Sequence, residues 1–382
     1  MAILKKIGLW FLTLTVAAGS IAVTGALLLA MLQIGGSAEG KAPAAVDVAL
    51  MDRYDMYMTN QISSALDGVL AIEKVYWLSD DDKVAPEPNQ AHFGTADSAA
   101  ELGWLLVEAK ELLAGQDTLF TTDIVIAQGS QIHYYLDDTI MVIVWKQPIN
   151  NCMYTVGEVK LAHPSQFRRF LSGGAYGSEL QLLSTQMASS VNAVLASSGD
   201  FYAHRRHGVI VYDGIVQRVH SQYLETCYID DKGDMLFSYA GELPDEKSAQ
   251  QFVDENNIRF SVAFGPVLVE NGVARPQHEY NDYLMGSVNG DYSRIALCQR
   301  DDLHYFIAIA GQDASYNCYR LITLEEFQKH IVEFGCDMAY TMDGGQTATM
   351  VLNDQLMNRP SYDSERDISD IIYFATAIPN GE

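Results

Sequence analysis

Lys5 and Lys6 precede residues 7–32, a run of 26 residues without a single charge. That run constrains the chain more than any other stretch of it. About 20 apolar residues suffice for a helix to cross a bilayer, so this one can span with tilt to spare. A cleaved signal peptide would have a shorter apolar region. Ser37-Ala38-Glu39 supplies small residues at which cleavage would be feasible, but a single-pass signal anchor is the expectation. The lysines on the N-terminal side predict a cytoplasmic N-terminus and an exported body. The chain therefore reads as a cell-membrane protein with an extracytoplasmic C-terminal domain. Residues 1–34 are its anchor and residues 35–49 a linker of small residues.

The exported part is strongly acidic. Against 24 Lys and Arg stand 49 Asp and Glu, a net charge of −25 over 382 residues. A nucleic-acid partner would call for the opposite sign, which removes that class. A phosphate-bearing ligand would need a local basic island. The five cysteines, Cys152, Cys227, Cys298, Cys318 and Cys336, are odd in number, and none are spaced closely enough for a metal site. Cys298 and Cys336 read as small buried residues. One disulfide is allowed without a defined pairing, and no metal or other cofactor is expected.

Residues 50–122 read as a helical membrane-proximal segment. Within it, residues 99–113 place Leu102, Leu105, Leu106, Ala109 and Leu113 on one helical face. From residue 123 the texture changes to short β-rich runs split by turn residues. These are residues 124–126, 131–136, 139–145, 156–161, 191–196, 209–212, 226–229, 235–239, 260–269, 294–298, 304–309, 339–342 and 349–352. Helical patterns interrupt at 164–170, 180–190, 245–256 and 323–335. The last opens on Thr323 with Glu326 three residues on, as a capping box does, and closes at Gly335. This alternation predicts an α+β fold, a large mixed β-sheet core flanked by helices.

Several chemistries are excluded by their missing motifs: there is no phosphate-binding P-loop, no nucleophile elbow and no His-Glu-x-x-His helix. Asp230-Asp231-Lys232-Gly233-Asp234 lacks the terminal glutamate of a calcium loop and reads as a hairpin turn. Two features remain. His204-Arg205-Arg206-His207 is the densest basic cluster, just after Gly199-Asp200-Phe201-Tyr202. Asp343-Gly344-Gly345 lies between two apolar runs, with Thr347 and Thr349 behind it. Either aspartate taken alone is an ordinary turn former. Arg218, Arg294 and Arg366 are further basic candidates, since the planar guanidinium fits phosphate.

Five blocks then occur in one order: LASSGDFYAHRRHGVIVYDGIVQR, FGPVLVENG, SRIALCQRDDLHYFIAIAG, ITLEEFQKHIVEFGCDMAYTMDGGQTATMVLNDQLMNRP and ERDISDIIYFATAIP. This succession resembles the phosphodiester glycosidase family, which includes the N-acetylglucosamine-1-phosphodiester α-N-acetylglucosaminidase (the uncovering enzyme) and bacterial exopolysaccharide-associated proteins. The resemblance covers roughly residues 130–380 and so marks residues 123–382 as the glycosidase-like domain. It implies that Asp343 and Asp200 are catalytic carboxylates. It also implies that Arg206 (or Arg205), Arg294, Arg366, Gly199, Gly344, Gly345, Thr347 and Thr349 bind substrate. Ser198, Thr341, Met342, Gln346 and Cys298 depart from the family pattern, and amides at such positions would hold sugar hydroxyls.

The implied reaction breaks the bond between a sugar's anomeric carbon and a bridging phosphate. Its leaving group is already a weak base, with a second pKa of about 6, so neutralising phosphate charge matters more than protonating the departing oxygen. The developing oxocarbenium ion needs a carboxylate. The expected substrate is a sugar phosphate or cell-envelope glycan of the exopolysaccharide type. The competing expectation is a non-catalytic, membrane-tethered binder of wall or capsular polymer.

Overall fold

Strands with apolar residues on both faces have to be covered on both sides, and that requirement organises this molecule. The computed structural model describes residues 76–79, 83–103, 105, 109, 124–200, 202–276 and 290–380. The expected anchor, linker and residues 50–75 lie outside them. Among the described residues no helix is long and apolar enough to cross a membrane.

The sequence pattern predicts one large mixed sheet. Among the described residues there are four sheets instead, and every pairing between strands is antiparallel. The nine-stranded sheet is centred on Ile140–Ile149, Cys152–Leu161, His304–Gly311, Arg294–Asp301 and Met338–Thr341, in that spatial order. The five-stranded sheet runs Gln355–Leu356, Met350–Leu352, Leu195–Ser198, Asp370–Phe374, Phe167–Leu171. A three-stranded sheet (Met235–Ser238, Thr226–Ile229, Phe260–Val262) and the hairpin Gly208–Tyr212/Ile215–His220 complete the set.

Alternation along the strands builds the layers. On Arg294–Asp301, Ala296 and Cys298 face one core, together with Leu102, Leu105, Ala109 and the α-helix Leu324–Phe334. Ile295 and Leu297 face the other, between the nine-stranded sheet and the five- and three-stranded sheets. The far side of the five-stranded sheet is covered by the helix Ser184–Ser190, through Met187 and Ala188. The Leu324–Phe334 helix starts as its sequence predicts, with the Thr323 side chain accepting from Glu326 N at 3.2 Å, and ends at Gly335 at φ 77°. Glu246–Glu255 is capped by Asp245, within the expected range.

Other segments differ from their patterns. Residues 164–170 look helical, but only Pro164–Gln166 turns and Phe167–Leu171 is a strand. Within the stretch expected to be helical, Phe93–Ala96 is a strand paired with Ile132–Leu136. Residues 124–126 form no strand. The run 260–269 is split at Gly265, at φ 73°, and Pro266, which has no N–H for a ladder. The turn at Asp230 is the predicted hairpin, with Asp230 Oδ1 accepting from Lys232 N and Asp234 N. All five cysteines are free thiols, and Cys336 is half-buried rather than buried.

Candidate active site

Asp343-Gly344-Gly345 links two different sheets. It leaves the strand Met338–Thr341 of the nine-stranded sheet and leads to Met350–Leu352 of the five-stranded sheet. Such a crossing places its residues where two sheets converge, beside the end of Leu195–Ser198. Asp343 N lies 3.4 Å from the Gly199 carbonyl, which joins the two glycine-acid turns directly. Gly344 is required by contact, since a Cβ there would lie 2.4 Å from the Ser293 carbonyl oxygen. Gly345 sits at φ 67° and donates its N–H to the same carbonyl at 2.9 Å. Thr347 Oγ1 lies 2.6 Å from the Gly344 carbonyl and 3.1 Å from that of Asp343, so it closes the turn. Thr349 is buried and bonds the Thr347 carbonyl at 3.2 Å, a structural task rather than the predicted substrate contact.

Asp343 is half-buried. Burial pushes its carboxyl up to about 6. The Thr347 hydroxyl and the charges of Arg366 and Arg205 pull the other way, and the Asp200 charge adds to the rise. An aspartate near 6 is suited to exchanging protons near neutral pH.

Asp200 is held entirely by partners within the protein. Its side chain is wholly buried. One carboxylate oxygen accepts from Tyr202 N at 2.7 Å; the other accepts from Ala263 N at 2.8 Å and pairs with Arg169 at 3.0 Å. Arg169 also bonds Asp370 at 2.8 Å, and Asp370 in turn accepts from Asp200 N at 3.1 Å. Burial pushes the Asp370 carboxyl up, while Arg169 opposes the rise and the Asp200 charge adds to it. Gly199 is glycine because a Cβ would lie 2.1 Å from the Asp370 carboxylate. The Asp200–Arg169–Asp370 cluster is thus the footing of the Gly199–Asp200 turn. Arg169 was missed in the sequence because its segment reads as a helix.

Of the adjacent arginines, Arg205 faces the acid and Arg206 is exposed. The Arg205 guanidinium lies 4.3 Å over the Phe264 ring, and its buried Nη1 has no hydrogen-bond partner among the described groups. A buried donor without a protein partner calls for a water or a ligand to fill it. Burial lowers its pKa, while Asp343, Tyr340 and Asp200 act in the opposite direction. Arg218 sets this loop by donating to the Tyr202 carbonyl at 2.8 Å and the His207 carbonyl at 3.0 Å. Arg366 is exposed, and its charge acts on Asp343 from the rim. Arg294, predicted to bind phosphate, is buried instead, with Nη2 2.7 Å from the Gly290 carbonyl and Nε 3.3 Å from that of Ile322. Glu365 accepts from Thr185 N and Oγ1 at the start of the Ser184–Ser190 helix. Among the described residues no three His, Cys, Asp or Glu side chains are placed to hold a metal. A cavity of about 340 Å³, whose lining includes Lys83, Arg168, Arg169, Phe170, Arg259 and Tyr373, touches the Arg169 footing but does not include Asp343.

Asp343, Arg205, Arg366 and the Gly199–Asp200 turn thus converge. The family profile described as phosphodiester glycosidase matches residues 191–375, a span that contains them all. Residues 191–375, just under half of the chain, are thus similar to the phosphodiester glycosidase family. Among solved structures, a hypothetical protein from Synechocystis aligns at TM-score 0.50 and 11% identity, over 66% of this chain and 64% of that one. The chain therefore spans less than two thirds of that protein, and the likeness supports the fold. The zebrafish N-acetylglucosamine-1-phosphodiester α-N-acetylglucosaminidase catalytic domain, auto-inhibited by its pro-peptide, aligns at TM-score 0.48 and 16% identity, over 78% and 100% of the two chains. An exported protein from Burkholderia pseudomallei gives TM-score 0.38 and 12% identity, over 59% and 74%. No curated protein matches the sequence.

Proposed function

We propose that the chain hydrolyses the bond between a sugar's anomeric carbon and a bridging phosphate, with Asp343 as the working carboxylate. The observation that carries this is a single half-buried acid, raised to about 6, next to an unsatisfied buried arginine donor. Arg205 and Arg366 hold the phosphate oxygens. Asp343 takes a proton from a water whose oxygen attacks the anomeric carbon. The C–O bond breaks, its electron pair leaves with the phosphate, and Asp343 passes the proton on to solvent. One carboxylate suffices because the phosphate needs no proton to depart, its second pKa being about 6. The same negative charge stabilises the oxocarbenium character of the transition state.

The reading includes a membrane tether through residues 7–32 and a substrate in a cell-surface or exopolysaccharide-type glycan. It is supported by the uncharged apolar run with its flanking lysines. The test is incubation of the full chain with glucose-1-phosphate methyl diester, following free sugar and its anomeric configuration by NMR. Release with inverted configuration, lost by at least about 10³-fold in Asp343→Asn, is expected. Retained configuration would make Asp343 the nucleophile. Binding without any release would leave a non-catalytic glycan binder.

A further inference from the structure

Tyr362 is unused by the reaction above and is held in a conformation that a bulky residue seldom adopts. Its backbone is at φ 63°, ψ 18°, and the residue is 88% exposed. Glycine or asparagine would occupy that left-handed position with less strain, and a tyrosine ring in water gains no packing for it. The loop is nevertheless well fastened. Asn358 bonds Met350 N at 2.8 Å and the Ala348 carbonyl at 2.9 Å. Ser361 Oγ lies 3.0 Å from Ser293 Oγ, Arg359 pairs with Asp363, and Gln346 Nε2 donates to the Ser364 carbonyl at 3.2 Å. Ser293, Gln346 and Ala348 all border the turn that carries Asp343. The fastening therefore holds the segment that carries exposed Tyr362 beside the Asp343 turn, four residues before Arg366.

We propose that Tyr362 is the stacking platform of an outer sugar subsite, occupied by the ring across the phosphate from the scissile sugar. The argument rests on the phosphodiester reading. The anomeric carbon must lie at half-buried Asp343 and the phosphate at the arginines, with Arg366 the outermost, so whatever follows the phosphate emerges over the rim. A flat, exposed aromatic face fits the C–H face of a sugar ring, with the phenol free to meet a hydroxyl.

The test is calorimetric titration of the full chain carrying Asp343→Asn, so that binding is read without turnover. The probes are glucose-1-phosphate methyl diester and the diester in which the methyl is replaced by a second glucose joined through its O6. The two-sugar diester is expected to bind roughly three- to tenfold more tightly than the methyl diester. Tyr362→Ala and Tyr362→Asn should erase that margin, and Tyr362→Trp should keep it. Tyr362→Asn should also raise Tm, which shows that the loop remains folded. An unchanged margin in Tyr362→Ala overturns the platform while leaving the phosphodiester reading intact. A margin that depends on Tyr362 in a chain whose Asp343 form releases no sugar upholds the platform and overturns the reading. Failure of both probes to bind overturns both.

Discussion

A proton stays on Asp343 at a pH where an exposed aspartate has lost it, and this has a consequence for stability. Its pKa moves from 3.8 to about 6 on folding. Between those values the folded chain binds more protons than the unfolded one, so stability falls as pH rises through that window and stays reduced above it. The full shift corresponds to about 3 kcal/mol at 1.36 kcal/mol per unit, and partial solvent access at a half-buried site reduces this to about 1–2 kcal/mol. Asp343→Asn is therefore expected to be more stable than the native chain above pH 6 and equal to it near pH 4, as read by urea denaturation at both values. The same residue scale separates Arg205 from Arg206. Nothing in His204-Arg205-Arg206-His207 says which arginine turns inward, because a loop has no period. The Arg218 bonds to the carbonyls of Tyr202 and His207 decide it. Arg205→Ala should lower kcat/KM by about 10²–10³, while Arg206→Ala should stay within about threefold. The reverse order would exchange their assignments.

At the scale of elements, the strand Phe167–Leu171 shows where pattern reading stops. Two adjacent arginines between phenylalanines read as the polar side of a helix, and both prove buried. Arg169 is tolerable there only because Asp200 and Asp370, brought from separate turns, supply its counter-charges at 3.0 and 2.8 Å. That pairing is a tertiary fact, invisible to any local window. By contrast, the helices Glu246–Glu255 and Leu324–Phe334 were legible because their caps and stripes lie within a few residues of each other. Asp343 was legible for a related reason, since the glycines that shape its turn are its own neighbours. Removing Arg169 would leave two enclosed carboxylates facing each other. Arg169→Leu should cost about 3–5 kcal/mol in denaturant unfolding. The double variant Arg169→Leu/Asp200→Asn should recover part of that stability without recovering activity, since the Gly199–Asp200 turn loses its anchor. A single variant of near-native stability would show that the cluster is not the footing of that turn.

Across the whole molecule, the short β-rich runs predict strands, yet an apolar run carries no mark of the sheet it will join. Ala339–Thr341 and Met350–Leu352 look like two arms of one hairpin and belong to different sheets. That separation sets Asp343 where two sheets converge, so this departure from the pattern falls at the candidate site. Charge acts at this scale too. The chain carries −25 in total, while Arg205 and Arg366 place positive charge beside Asp343. A polymer of phosphodiesters approaching from a distance meets the negative field first, and a small diester with one charge meets it weakly. Salt screens that far field strongly, the Debye length falling from about 30 Å at 0.01 M to about 8 Å at 0.15 M, and it screens half-buried contacts much less. For a poly(sugar phosphate) glycan, kcat/KM should therefore rise several-fold, by about three- to tenfold, over that salt range. For glucose-1-phosphate methyl diester it should change by less than about twofold. Steady-state rates on the two substrates across a salt series decide the matter. A fall for the polymer would mean that the arginines govern its approach as well as its binding.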